Sequence, residues 1–138
     1  MTKEQYQKGI EKMLSGTKEE RIFLASESLG LFCLFYFQHY FKYGLSDYQY
    51  TFISDMEEIT ECKIRELLLI TFREGAKTTF AKLYLLWLIS FKKREYVCID
   101  SFDKENAERI LFDIAYELTN NTRLRADFGL LFSKSRGI

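Results

Sequence analysis

The sequence predicts an α/β fold, a partial parallel sheet with a helical N-terminal lead. Two short and continuous apolar runs, residues 66–72 and 96–101, are typical of strands that are buried on both faces. Apolar residues at helical spacing follow each run, over 78–92 and over 103–119. Strand, helix, strand and helix therefore alternate along the second part of the chain, which is the order of a parallel α/β unit.

The helical lead is predicted from two start signals. A hydroxyl residue followed three positions later by Glu or Gln, the capping-box pattern, occurs at Thr17 and again at Ser46. The first opens a helical segment over about 18–43, which Gly44 would end. The second opens a helix that reaches about residue 58. The sequence contains no proline, which favours long uninterrupted helices.

Composition excludes several classes of protein. The 138 residues include 20 basic and 20 acidic side chains, so that a net charge of zero argues against a protein that coats nucleic acid. A hydrophobic share of 47% excludes disorder for most of the chain. Three widely spaced cysteines and a single histidine argue against a zinc site or a disulfide framework. With no signal-like N-terminus and no apolar run of about 20 residues, we expect a cytoplasmic protein without a membrane span.

Residues 71–78 form a candidate phosphate-binding loop. They fit the Walker A pattern G-x-x-x-x-G-K-[ST] with both glycines replaced, by Thr71 and Ala76. The segment follows a predicted strand and opens a predicted helix, which is the context that the motif requires. Lys77 would then reach the β- and γ-phosphates, and the Thr78 hydroxyl would complete a Mg²⁺ shell. The alternative is a polar loop in which Lys77 is merely solvated.

Three segments together resemble the start of the ATPase domain in the large subunit of tailed-phage terminases, the motors that package DNA. Residues 72–79 are similar to the family's deviant phosphate loops, and the run 96–101 with the helix after it is similar to the next α/β step. Residues 118–129 resemble the segment that follows that helix. The resemblance covers about 46–132 and implies a helical region over 1–60 followed by the start of a P-loop ATPase domain over 61–138.

The resemblance also implies the site. It implies ATP and Mg²⁺ as cofactors, with Lys77 as a catalytic phosphate contact and Arg73 as an arginine that acts in cis on the γ-phosphate. Gln49 resembles the adenine-reading glutamine of some family members, although it is equally explained as the second half of its capping box. The full set of implied ATP contacts is Gln49, Arg73, Glu74, Gly75, Ala76, Lys77, Thr78 and Thr79, with Thr78 as the Mg²⁺ contact.

The chain departs from the family after this point. The 138 residues contain no Walker B strand ending in Asp-Glu and no nuclease domain, so we expect a truncated protein that binds ATP without turnover. Double-stranded phage DNA, the portal, the small terminase subunit and a bacterial host cytoplasm are implied by the family alone, and exposed sheet edges would favour an oligomer. The alternative function is a non-catalytic phage or prophage interaction module derived from such an ATPase.

Overall fold

The computed structural model describes residues 2–62, 77–94 and 96–129, and within these ranges every regular element is a helix. None of these helices is long and apolar enough to cross a membrane. The α-helices are α1 (Lys3–Ser15), α2 (Lys18–Glu27), α3 (Leu29–Tyr36), α4 (Asp47–Thr60), α5 (Lys77–Ser90), α6 (Lys104–Asn120) and α7 (Thr122–Phe128), with a 3₁₀ turn at Gln38–Tyr40.

The predicted α/β fold is wrong, because the described residues are helical and contain no strand. The run 96–101, predicted as a buried strand, is an irregular segment whose Tyr96 side chain is 83% exposed. A strand needs a neighbouring strand for its backbone hydrogen bonds, and a short apolar run does not reveal whether that neighbour exists. The other predicted strand, 66–72, lies outside the described residues.

The first compact unit of the chain, Met1–Phe80, is built around α3. Seven of its eight residues are buried, Leu29, Gly30, Leu31, Phe32, Cys33, Phe35 and Tyr36. A helix that is apolar on all sides must be covered on all sides. Accordingly α1, α2 and α4 all pack against α3.

The predicted helical segment over 18–43 is divided at Ser28. This residue has extended backbone angles (φ −139°, ψ 115°), and its Oγ accepts a hydrogen bond from the Leu31 N–H at 3.2 Å. Ser28 therefore ends α2 and caps α3, since a serine side chain can satisfy an N–H group that the first helical turn leaves unpaired. Beyond the 3₁₀ turn, Gly44 has φ +77°, which glycine adopts without steric cost.

The second compact unit, Ala81–Ile138, contains the rest of α5 together with α6 and α7. Lys82 of α5 and Asp113 of α6 form a partly buried ion pair at 2.6 Å. The Phe91 and Phe128 rings meet edge to face, with their centroids 5.1 Å apart. Asn121 links the last two helices, because its Oδ1 caps α7 by accepting from the Leu124 N–H at 3.0 Å.

Candidate functional site

The predicted phosphate loop leads into the first turn of α5. Lys77 is the first residue of this 14-residue helix. Thr78 is exposed and Thr79 is half-buried in the same turn. The loop residues Arg73, Glu74, Gly75 and Ala76 lie outside the described residues.

Aromatic contacts hold the first turn of α5 in the first unit. The Phe80 ring is 1% exposed and lies against Phe41 of the segment after the 3₁₀ turn, with centroids 5.4 Å apart. It also meets Phe52 of α4 edge to face at 6.4 Å. Gln49 precedes Phe52 by three residues and Lys77 precedes Phe80 by three, which is about one helical turn in each case. The contact therefore places Phe80, in the first turn of α5, beside Phe52 of α4.

The first turn of α5 has the chemistry of an anion site. The first four N–H groups of a helix have no partner within it, and the helix dipole is positive at this end. No acidic residue lies in the first turn of α5 to offset that charge. The Thr78 hydroxyl is an oxygen ligand of the kind that Mg²⁺ takes together with phosphate oxygens and water. The described residues contain no cluster of three metal-ligating side chains.

Gln49 forms a capping box with Ser46 at the N-terminus of α4. Its Oε1 accepts a hydrogen bond from the Ser46 N–H at 2.8 Å. The capping interpretation of this glutamine is therefore realised in the structure. An adenine ring would have to compete for that oxygen or use the Nε2 amide hydrogens.

Two surface grooves lie elsewhere in the described part of the chain. One runs between α1 and α2, where Lys12, Gly16, Glu20, Phe23 and Leu24 are among its lining residues. The other lies beside α7 and is lined by Asn120, Thr122, Arg125, Ala126 and Gly129. Neither groove is lined by a described residue of the predicted ATP site.

The structure also reveals a buried polar cluster that the sequence did not indicate. Glu57 of α4 accepts a hydrogen bond from the Leu29 N–H at 3.0 Å and another from the Gly30 N–H. Burial raises the pKa of this carboxyl, and the two backbone hydrogen bonds oppose the increase without cancelling it. Because the bonded residues are far apart in the chain, no local spacing pattern marks them.

Tyr6 of α1 completes this cluster, which we call the Glu57 cluster and define as Tyr6, Ser28, Gly30, Cys33 and Glu57. Burial and the nearby Glu57 charge raise the pKa of Tyr6 to about 12, although a hydrogen bond with the Ser28 side chain opposes the increase. Burial likewise raises the pKa of the Cys33 thiol. The cluster joins α1, α4 and the start of α3 through these polar contacts.

Comparison of the chain with protein-family models, with curated proteins and with solved structures finds no match.

Proposed function

We propose that this protein binds ATP with Mg²⁺ at the N-terminus of α5, in the role that its resemblance to the terminase large subunit implies, ATP binding for phage DNA packaging. The observation that carries the proposal is the position of Lys77. The motif requires a strand before its loop and a helix after it, and α5, whose described range starts at Lys77, supports the second half of that requirement.

The proposed roles follow from the residue types. Lys77 binds the β- and γ-phosphates as a positive charge, and the N–H groups of the first turn donate to phosphate oxygens. Thr78 supplies its hydroxyl to Mg²⁺, and Thr79 contributes its backbone N–H. Arg73 acts on the γ-phosphate, and the backbone of residues 74–76 lines the loop. Phage DNA, the portal and the small terminase subunit are the partners that accompany this proposal.

The experiment is a calorimetric titration of the 138-residue chain with Mg-ATP, beside the variants Lys77→Ala and Lys18→Ala. Lys18 is the matched control, because it is also the first residue of a helix, α2. We expect saturable binding that Lys77→Ala weakens by at least about tenfold, a loss of about 1.4 kcal/mol, and that Lys18→Ala leaves unchanged. Thr78→Ala should reduce the gain in affinity that Mg²⁺ provides.

Circular dichroism of each variant separates a lost contact from a lost fold. Equal weakening by Lys77→Ala and Lys18→Ala would show nonspecific attraction of the nucleotide to positive charge, and would contradict the proposal. Absence of binding to a chain with intact helical signal and cooperative unfolding would contradict it as well.

A second candidate function, the non-catalytic interaction module, is favoured by the surface of the second unit. Phe102 is 90% exposed there, Phe112 is 67% exposed and Tyr116 is 56% exposed. Exposed aromatic side chains grouped on one element are a common mark of a binding surface. A folded chain that binds no nucleotide yet associates through these residues would favour the module.

A further inference from the structure

Helix α6 carries an exposed stripe on the side opposite its buried residues. Glu105, Arg109, Phe112 and Tyr116 are all exposed, whereas Ile114 on the other side is buried. Their spacing of four, three and four residues keeps them on one face of a helix with 3.6 residues per turn. The packing of the second unit explains the buried face and leaves the two aromatic residues of this stripe in solvent.

The stripe extends to Phe102, which directly precedes Asp103, the N-cap of α6. Phe102 lies three residues before Glu105, so the series alternates in steps of three and four, as in the seam of a coiled coil. We call Phe102, Glu105, Arg109, Phe112 and Tyr116 the α6 stripe. Aromatic residues stand at its two ends, and one negative and one positive residue stand between them.

We propose that the α6 stripe binds a second copy of this chain, with the two α6 helices antiparallel about a two-fold axis near residue 107. In this register Glu105 of each copy faces Arg109 of the other. Phe102 of each copy is level with Phe112 of the other. The stripe is thus complementary to itself, as a two-fold interface requires. This inference does not depend on nucleotide binding.

Charge selects the antiparallel arrangement. Parallel α6 helices would set Glu105 against Glu105 and Arg109 against Arg109, which places like charges opposite each other at the centre of the contact. The antiparallel register replaces both repulsions with attractions, and complementary charge of this kind determines partner and orientation more than affinity. The apolar contribution comes from the aromatic residues at the two ends.

The short seam limits the strength of this dimer. An α6 helix of 17 residues is about 25 Å long, so the contact belongs to the small, transient class of interfaces. We expect a dissociation constant on the order of 10 µM to 100 µM, with monomer predominant at low concentration.

The experiment is sedimentation velocity of the full chain over a concentration series, with charge-reversal variants. Glu105→Arg and Arg109→Glu should each weaken dimerisation by at least about tenfold, a change of about 1.4 kcal/mol, because each sets like charges together. The double variant restores opposite charges in exchanged positions and should return to within about threefold of the original constant, roughly 0.65 kcal/mol. Phe112→Ser should abolish the dimer.

Lys104→Glu is the matched control. Lys104 is an exposed residue at the start of α6, outside the stripe, and it pairs with Glu108 at 3.6 Å. The variant therefore reverses one charge of the same helix and removes an i,i+4 ion pair. It should leave dimerisation unchanged. A chain that stays monomeric at every concentration would overturn the proposal and would favour a different protein as the partner of the α6 stripe. Dimerisation that charge reversal does not affect would overturn it too, since another surface would then be responsible.

Discussion

The Glu57 carboxylate and the Leu29 N–H form a hydrogen bond of 3.0 Å that joins the end of α4 to the start of α3, across 28 residues of sequence. Glu57 also accepts from the Gly30 N–H, and Ser28 accepts from the Leu31 N–H at 3.2 Å. Three of the N–H groups that α3 leaves unpaired at its N-terminus are therefore satisfied. Because α3 is buried, these N–H groups cannot form hydrogen bonds to water. The Glu57 side chain supplies acceptors within the protein and so helps the helix to lie in the core.

Replacing Glu57 should reveal the importance of this cap. Glu57→Ala leaves buried N–H groups without an acceptor, and we expect the free energy of unfolding at neutral pH to fall by about 1–3 kcal/mol. Glu57→Gln keeps an acceptor oxygen and removes the partly buried charge, so its loss should be below about 1 kcal/mol. Urea unfolding measures both, with Glu58→Ala as the control from the next position of α4. Equal losses for the Ala and Gln variants would contradict the capping role.

Glu57 should also give the stability of the first unit a defined pH dependence. Its pKa in the folded chain is raised, so folding favours the protonated form. The stability that this group contributes is therefore complete below its unfolded pKa of about 4.3 and is lost as the pH rises through the folded value. The quantity to measure is the unfolding free energy of the natural chain minus that of Glu57→Gln, at a series of pH values above 4. We expect the difference to fall as pH rises. A difference that rose with pH would mean that the hydrogen bonds outweigh burial.

Two buried glycines should respond differently to alanine. A Cβ on Gly30 would lie 2.3 Å from Cε1 of the rigid Tyr6 ring, whereas a Cβ on Gly9 would lie 2.6 Å from Cδ2 at the end of the flexible Leu31 side chain. We expect Gly30→Ala to destabilise the chain by about 1–3 kcal/mol through overpacking. Gly9→Ala should cost less, because the end of the Leu31 side chain can move away from the new Cβ more easily than the Tyr6 ring can. Thermal unfolding compares the two, and a larger loss for Gly9→Ala would contradict this account.

Local features of the fold could be predicted from the sequence, and features that need a distant partner could not. The helix starts at Thr17 and Ser46 are confirmed, because each depends on groups within three residues. The division at Ser28 was missed because the apolar spacing continues through it, and the start of α3 depends partly on Glu57, which is distant in the sequence. The strand predicted at 96–101 failed because it depended on a neighbour that an apolar run does not specify.

The candidate site also combines local features that the sequence predicts with contacts between distant residues that it does not. The helix that begins at Lys77 could be predicted, because apolar spacing and the motif agree on it. The contact of Phe52 with Phe80 joins residues without a common local pattern. The Glu57 cluster and the α6 stripe also depend on which side of each helix is covered, and helical spacing alone does not show which of two apolar faces the fold will bury.

Lys92, two residues after the end of α5, offers a stabilising substitution. Its φ is +52°, and the next residue, Lys93, donates its N–H to the Leu88 carbonyl at 2.9 Å. This pattern is a Schellman ending, whose left-handed position favours glycine. We expect Lys92→Gly to raise the free energy of unfolding by about 0.5–1 kcal/mol because it relieves backbone strain. Lys92→Ala is the control, since alanine shares that strain and loses the same charge. An equal gain from both variants would show that loss of the lysine charge, and not relief of backbone strain, causes the effect.

Gln49 can serve α4 as a cap, serve ATP as an adenine contact, or do both, and Gln49→Glu separates the roles. Glutamate fills the same position of a capping box, so the hydrogen bond that Oε1 now accepts from the Ser46 N–H should persist and the melting temperature should not change. A carboxylate can accept but cannot donate, and it therefore loses one of the two hydrogen bonds that an amide makes to an adenine edge. We expect affinity for Mg-ATP to fall by at least about tenfold, or about 1.4 kcal/mol. Affinity for inorganic triphosphate, which has no adenine, should stay the same. Unchanged affinity for both ligands would show that Gln49 acts only as a cap, and equal loss for both would show that the new charge repels phosphate.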